Sequence, residues 1–115
     1  MTVSFSEDLL DGGLLKIALT GSLDAPGAMA IEEQFKERLK QRGGNVILDL
    51  SGLDYMSSYG LRMILMGAKA LHDQGGGLYL AAPTDRVMEL IKLAGYDTMF
   101  PVYETVDEAV LFLGG

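Results

Sequence analysis

Two adjacent serines, Ser57 and Ser58, are the residues of this chain whose type and position most directly allow chemistry. They lie in the segment DLSGLDYMSSYGLRMIL (49–65), where an apolar run gives way to helical periodicity. The first N–H groups of a helix are unpaired and carry partial positive charge, so a serine there can cap them. A phosphate would also be accommodated there, and it would add roughly two negative charges to the surface. The spacing leaves both interpretations open, a structural cap and a phosphorylation switch.

Groups suited to enzymatic catalysis are sparse in the rest of the chain. His72 is the only histidine and there is no cysteine, so neither a conventional metal site nor a serine–histidine pair is indicated. The glycine-rich stretches do not match phosphate-binding loops and are interpreted as turns and helix ends. Asp49 and Asp54 flank the serine segment and are assigned to turns and solvated surface. We therefore expect a protein that is not an enzyme and that requires neither cofactor nor metal.

The composition of the chain predicts a single domain over residues 1–115. Hydrophobic residues make up 49% of the sequence, which is enough for a core without disulfides or metals. The formal net charge of −7 repels phosphate backbones, so direct nucleic-acid binding is not expected. The sequence lacks an apolar run of membrane-spanning length, and its N-terminus does not resemble a signal peptide. We expect a cytoplasmic protein without membrane association.

Hydrophobic periodicity predicts the elements that position the serines. Two strands with alternating polarity are expected to pair antiparallel through a turn at Asp11-Gly12, and apolar runs then alternate with helical patterns. The order β-β-α-β-α-β-α-β-α is typical of an α/β fold with a mixed sheet of four to five strands covered by about four helices. The predicted strands are 2–8, 14–21, 45–50, 77–82 and a very short one at 100–103, and the predicted helices are 28–42, 58 to about 74, 83–95 and a last one after Thr105.

The same patterns predict which residues are buried and which cap the helices. The apolar run 45–50 is expected to be a central strand covered on both faces, and Thr84 and Thr105 are the expected N-caps of the last two helices. The residues expected to face the core are Leu15, Ile17 and Leu19 of the second strand, Ala28, Ile31, Phe35 and Leu39 of the first helix, and Val87, Leu90, Ile91 and Ala94 of the third helix.

The second predicted helix carries apolar residues on more than one side. Met63 and Met66 fall outside the stripe that is expected to face the sheet, so we expect both to be at least partly exposed. Methionine forms adaptable contact surfaces, and an exposed apolar strip often marks a partner site. The alternative is that neighbouring elements bury both sides. The stripe itself consists of Leu61, Ile64, Leu65, Ala68 and Leu71.

The segment NVILDLSGLDYMSSYGLRMIL (45–65) resembles the signature of STAS domains. The similarity is greatest to the single-domain anti-sigma factor antagonists of bacterial partner-switching systems, in which an apolar strand, D-L-S and a short loop precede M-D-S-S-G-L at a helix start. LTGSLDAPGA (19–28) is similar to the family's G-x-L-D segment, and residues 78–110 resemble its C-terminal part. The similarity covers nearly the whole chain in order and implies the STAS fold.

The resemblance implies a role in protein binding. In this family the unmodified antagonist binds an anti-sigma factor that is also a serine/threonine kinase. The kinase phosphorylates the antagonist with ATP and so releases it, and a PP2C-type phosphatase removes the phosphate. The phosphorylated position of the family falls on Ser58, with Ser57 as the alternative acceptor. The partner-binding residues implied by the match are Asp24, Ser57, Ser58, Tyr59, Gly60, Leu61, Met63 and Met66.

Two positions depart from the family's pattern. Ser57 stands where the family has an acidic residue, and Tyr59 stands where it has a small one. Loss of the acid removes a like charge beside a phosphate, whereas Tyr59 adds bulk and a hydroxyl, so regulation and partner choice stay open. Two other functions stay open as well: a partner switch that controls a secretion, cyclase or stress complex, and a small nucleotide- or lipid-binding module.

Overall fold

The computed structural model of the chain describes residues 3–42 and 44–113. The elements follow the predicted order, and the α/β class with a mixed five-stranded sheet and four α-helices is confirmed. Thr2, predicted to begin the first strand, lies outside the described residues. The strands are β1 (Val3–Leu9), β2 (Leu15–Leu23), β3 (Asn45–Met56), β4 (Gly77–Ala81) and β5 (Val102–Tyr103), and the helices are α1 (Ala25–Arg42), α2 (Ser58–His72), α3 (Asp85–Leu93) and α4 (Val106–Phe112).

The five strands lie in the order β1-β2-β3-β4-β5, with β1 antiparallel to β2 and the other neighbours parallel. β3 is therefore the central strand, and it is covered on both faces as predicted. Leu48 and Leu50 pack into the core that β3 forms with α1, α2 and α3, whereas Ile47 packs on the opposite face with Ala109 of α4. Because β2 and β3 are parallel, the helices that follow them both begin at the same edge of the sheet.

The central strand β3 extends well beyond its predicted end at residue 50. The prediction ended there because the serine and glycine at 51–52 are turn-forming residues. In the structure the strand continues because β2 pairs with it as far as Leu23 and Met56, through two register shifts. A Cβ atom on Gly52 would lie 2.7 Å from Thr20 Cγ2, so glycine is what allows the two strands to approach here. The prediction that this strand ends at residue 50 is therefore wrong.

The helix α1 begins at Ala25 rather than at the predicted Ala28. Pro26 lies in its first turn, where a missing N–H costs no hydrogen bond. The Asp24 side chain accepts a hydrogen bond from the Gly27 N–H at 2.8 Å and so caps this earlier start. The residues predicted to face the core, Ala28, Ile31, Phe35 and Leu39, are all buried.

The predicted N-caps of the last two helices are confirmed. Thr84 accepts a hydrogen bond from the Val87 N–H at 3.4 Å, and Thr105 accepts one from the Glu108 N–H at 3.0 Å. Both threonine hydroxyls satisfy N–H groups that a helix start would otherwise leave unpaired. Ala94, predicted to face the core from α3, is exposed instead because the helix ends one residue earlier.

Candidate functional site

The candidate site lies where β2 and β3 end side by side and where α1 and α2 begin. Leu23 and Met56 are partners in the parallel ladder, so the chain leaves both strands at the same edge. The Ser57 N–H donates a hydrogen bond to the Leu23 carbonyl at 2.9 Å, which ties the start of α2 to the end of β2. The fold thus brings together the two segments that the resemblance placed in the binding surface.

Ser57 is the N-cap of α2. Its hydroxyl accepts a hydrogen bond from the Gly60 N–H at 3.1 Å and donates one to the Leu23 carbonyl, also at 3.1 Å. Both functions of the hydroxyl are therefore used inside the protein, in a position that is only partly exposed. The structural cap that the sequence left open is present, and Ser57 provides it.

Ser58 is the first residue of α2, and its side chain is exposed. In the part of the chain that the structure describes, its hydroxyl forms no hydrogen bond, in contrast to the neighbouring Ser57 hydroxyl. It borders a groove of about 490 Å³ between the β3–α2 junction and α3. The side chain is thus neither sealed in the core nor within a strand, and it is accessible to solvent at the edge of this groove. The other groove residues are Tyr55, Met56, Ser57, Arg86, Glu89, Leu90 and Leu93.

Gly60 and Leu61 are buried and act by positioning the site. A Cβ atom on Gly60 would lie 2.7 Å from Leu23 Cγ and 2.9 Å from the Leu23 carbonyl oxygen. Real Cβ atoms do not approach a backbone oxygen so closely, so glycine is what allows α2 to start beside the end of β2. Leu61 is 3% exposed and belongs to the main core. Neither residue offers much side-chain surface to a partner.

The predicted exposure of the two methionines is correct for one and wrong for the other. Met66 is 48% exposed, whereas Met63 is only 4% exposed. The reason is the close packing of α1 against α2: a Cβ atom on Gly67 would lie 2.7 Å from atoms of both Phe35 and Leu39. This approach places α1 over the side of α2 that carries Met63, so only Met66 presents its side chain to solvent.

Tyr59 connects α2 to α1. Its hydroxyl donates a hydrogen bond to the Glu32 carboxylate at 2.9 Å. This hydrogen bond raises the pKa of Tyr59 above its ordinary value, and partial loss of solvent and the negative charge of Glu32 act in the same direction. Tyr59 and Glu32 form a concave surface between the two helices together with Arg62, Met63 and Met66. The residue that departs from the family's pattern therefore has an intramolecular partner.

Asp24 lies at the same junction, where its side chain caps the start of α1. Its carboxylate accepts the hydrogen bond from the Gly27 N–H, and the preceding residue, Leu23, accepts both hydrogen bonds donated by Ser57. Asp24 is partly exposed, so a partner that covers this edge of the sheet can still reach it. Its contribution to partner binding stays a prediction.

Several residues of the site were not predicted from the sequence. Leu93 is 79% exposed and Tyr55 is 42% exposed, and both line the groove beside Ser58 together with Arg86. The exposure of Leu93 could have been inferred from the sequence, because this residue is apolar but falls outside the stripe that α3 buries. The role of Glu32 could not have been inferred from the sequence, because its hydrogen bond with Tyr59 depends on how α1 packs against α2.

Metal-ion sites and membrane-spanning helices are absent from the residues that the structure describes. Within 3–42 and 44–113, no three histidine or carboxylate side chains are grouped closely enough to hold a metal ion. Over the same residues, each helix is too short or too polar to cross a bilayer. The polar groups that do converge near Ser58 are hydroxyls, one guanidinium and one carboxylate.

Comparison with known proteins decides the family. The STAS domain model matches residues 9–109 of this chain. The chain belongs to the STAS domain family. BtrV of Bordetella bronchiseptica, a proposed anti-sigma factor antagonist, is 33% identical to this STAS domain over 102 residues, which cover 89% of this chain and 87% of BtrV.

Solved structures share the fold of this STAS domain. An anti-sigma factor antagonist from Mycobacterium paratuberculosis superposes with a TM-score of 0.84 at 24% identity, covering 95% of this chain and 92% of that chain. The Bacillus cell fate determinant SpoIIAA in its phosphorylated form superposes with a TM-score of 0.72 at 20% identity, covering 96% of this chain and 99% of that chain. Both comparisons confirm the predicted STAS fold.

Proposed function

We propose that this STAS domain is an anti-sigma factor antagonist that is regulated at Ser58. In its unphosphorylated form it binds an anti-sigma factor that is also a serine/threonine kinase, and phosphorylation of Ser58 releases it. A PP2C-type phosphatase restores the binding form. The protein works in the cytoplasm as ligand and substrate, without catalytic activity. The observation that carries the proposal is the exposed Ser58 hydroxyl at the first residue of α2, in a chain related to BtrV.

Ser58 is a better acceptor than Ser57 because of what the two hydroxyls do in the folded protein. The Ser57 oxygen accepts from Gly60 and its proton is donated to Leu23. A phosphate ester on Ser57 would remove that donor and crowd the start of α2. A phosphate on Ser58 disrupts none of these bonds, and it lies at the positive end of the helix. Modification of Ser58 therefore leaves the fold intact and changes the surface.

The surroundings of Ser58 support the proposed effect on binding. The exposed side chains of Tyr55 and Leu93 lie along the groove next to it, and such apolar groups favour a docked protein. A partner that covers the groove removes Ser58 from water. A phosphate there adds roughly two negative charges, whose desolvation opposes docking unless the partner pairs them. Phosphorylation thus weakens the complex.

The predicted partner-binding residues fall into two groups in this proposal, direct contacts and residues that shape the surface. Ser58, Tyr59 and Met66 have accessible side chains and are the proposed contacts. The others shape the surface on which those contacts lie, by capping, by close backbone approach or by filling the core. The residues in this second group are Asp24, Ser57, Gly60, Leu61 and Met63.

The test is phosphorylation by the purified anti-sigma factor kinases of the organism from which the chain comes. With ATP, we expect a kinase to add one phosphate to the wild-type protein and none to Ser58→Ala, as measured by intact-protein mass spectrometry. We expect Ser58→Asp to bind the same kinase at least about tenfold more weakly than wild type, a loss of roughly 1.4 kcal/mol.

Ser58→Ala is itself the matched control for binding, because it should bind the kinase but not be released by ATP. The Ser58 assignment is wrong if the kinase modifies Ser58→Ala as well as wild type. Peptide mapping would then show whether Ser57 is the acceptor. Absence of binding to every such kinase of the organism would contradict the proposed function itself.

A further inference from the structure

We propose that Arg86 of α3 pairs with the phosphate when Ser58 is phosphorylated, so that the modification links α2 to α3 across the groove. This inference rests on the proposed function only in its choice of Ser58 as the modified residue. It concerns the modified state, in which the phosphate is held by the protein itself and the groove beside it is closed to a partner.

The groove is lined by both the serine and a cation. Ser58 lines it from the start of α2, and Arg86 lines it from the first turn of α3. The ion pairs of the described residues involve Lys16 and Arg38 as cations, so over 3–42 and 44–113 the Arg86 guanidinium is in no ion pair. The planar guanidinium can offer two parallel N–H donors to a phosphate. Arg86 is therefore available for an anion that arrives in this groove.

The other charged and titratable groups of the groove are Glu89 and Tyr55. The Glu89 carboxylate lies one turn after Arg86 on α3 and repels a phosphate, which weakens the pairing without removing the cation. Tyr55 contributes a phenol ring with its hydroxyl to the groove, and no cationic group. The balance between one arginine and one carboxylate predicts opposite effects when each is replaced by glutamine.

A second arginine provides a matched control. Arg62 follows Ser58 by four residues on α2 and could be reached by a phosphate along the helix surface. However, it lines the other concave surface, between α1 and α2, together with Glu32 and Tyr59. The two arginines therefore border different grooves, and the proposal assigns the phosphate to the groove of Arg86.

The experiment uses the full chain with phosphoserine installed at position 58 by genetic code expansion, and follows the phosphate by ³¹P NMR as pH is varied. A paired cation favours the dianion and lowers its pKa, so Arg86→Gln should raise the pKa of the phosphoserine. The expected rise is about 0.2–0.7 pH units, the range for an exposed ion pair. Arg62→Gln should leave the pKa unchanged, and Glu89→Gln should lower it.

Arg86→Lys keeps the charge without the planar fork, so the pKa of the phosphoserine should lie between those of wild type and Arg86→Gln. The proposal is overturned if Arg86→Gln titrates like wild type, or if Arg62→Gln causes the larger shift. Arg86 is exposed, so thermal denaturation should show that these variants fold normally. Because no kinase is used, these outcomes are independent of the phosphorylation test, and either proposal can fail alone.

Discussion

Ser57 and Ser58 are chemically identical neighbours, yet their positions at the helix start give them different tasks. The N-cap residue turns its side chain back onto the first N–H groups of the helix, and Ser57 does so through Gly60. The next residue is already helical, and its side chain points outwards. Consecutive residues therefore carry one hydroxyl that caps the helix and one that is exposed to solvent.

This difference predicts unequal stability effects. Ser57→Ala should lower the free energy of unfolding by about 0.5–2 kcal/mol, because it removes the cap. Ser58→Ala should change it by less than about 0.5 kcal/mol, as is usual for an exposed site. Chemical denaturation of the two variants measures both values. Equal losses would contradict the assignment of the cap to Ser57.

The hydrogen bond between Tyr59 and Glu32 predicts a pH effect on a single side chain. Because the neutral phenol donates to the carboxylate, the pKa of Tyr59 is raised, and the stabilisation is present below pH 10 and lost as pH rises through the higher folded pKa. Glu32→Gln should bring the pKa of Tyr59 down towards about 10.

Ultraviolet absorbance titration measures this pKa as the difference between each protein and its Tyr59→Phe counterpart. Glu33→Gln is the matched control, since Glu33 is exposed on the same helix and forms no hydrogen bond with Tyr59. If Glu33→Gln lowers the pKa of Tyr59 as much as Glu32→Gln does, general surface charge and not the hydrogen bond is the cause.

Among the helices, α2 is positioned by two glycines that serve the same purpose in different surroundings. Gly60 faces the backbone oxygen and side chain of Leu23, whereas Gly67 faces the side-chain ends of Phe35 and Leu39. A side-chain end can move by a few tenths of an ångström, but a backbone carbonyl that accepts two hydrogen bonds cannot move without breaking them. The start of α2 is thus held more rigidly than its middle.

Replacement of each glycine by alanine tests this difference. In an exposed helix, replacement of glycine by alanine would raise the free energy of unfolding by up to about 1 kcal/mol. A decrease in the free energy of unfolding therefore reports a steric conflict between the added methyl group and its neighbours. Gly60→Ala should lower the free energy of unfolding by about 1–3 kcal/mol, and Gly67→Ala should lower it less. Denaturant titration compares the two, and a greater loss for Gly67→Ala would show that the α1–α2 contact is the more rigid one.

The exposed apolar side chains are distributed over several parts of the molecule, and the proposed function assigns a role to those near Ser58. Leu93 is 79% exposed beside the groove, and Leu111 of α4 is 82% exposed and does not line it. The two leucines are thus alike in type and exposure but differ in location. This pair allows the docking surface to be located without disturbing the core.

Leu93→Ser should weaken binding to the kinase by roughly fivefold or more, the loss expected of a residue that contributes above about 1 kcal/mol to an interface. Leu111→Ser should leave the affinity unchanged. Both variants should retain the wild-type stability, because neither side chain is buried. Isothermal titration calorimetry with the purified kinase measures the affinities, and equal effects of the two changes would place the docking surface elsewhere.

The order of elements, the α/β class and most of the core could be predicted from the sequence, because hydrophobic periodicity reports which face of each element is buried. The residues of β2 and α1 that were expected to be buried are buried. The helix caps at Thr84 and Thr105 were also predictable, since a cap depends on residues only three apart. The pair Ser57 and Ser58 could be named from its position between strand and helix, and the choice of Ser58 within the pair was implied by the resemblance to the STAS family.

What only the tertiary structure decided depends on contacts between segments that are distant in the chain. β3 continues to Met56 because β2 pairs with it, and Met63 is buried because α1 packs closely at Gly67. Arg86 lines the same groove as Ser58 because α3 packs against β3, the strand that leads into α2. Local sequence carries no information about such neighbours, because the burial of a side chain depends on which element covers it. The amino-acid sequence therefore determined where a switch could lie, and the packing of the helices determined which side chains surround it.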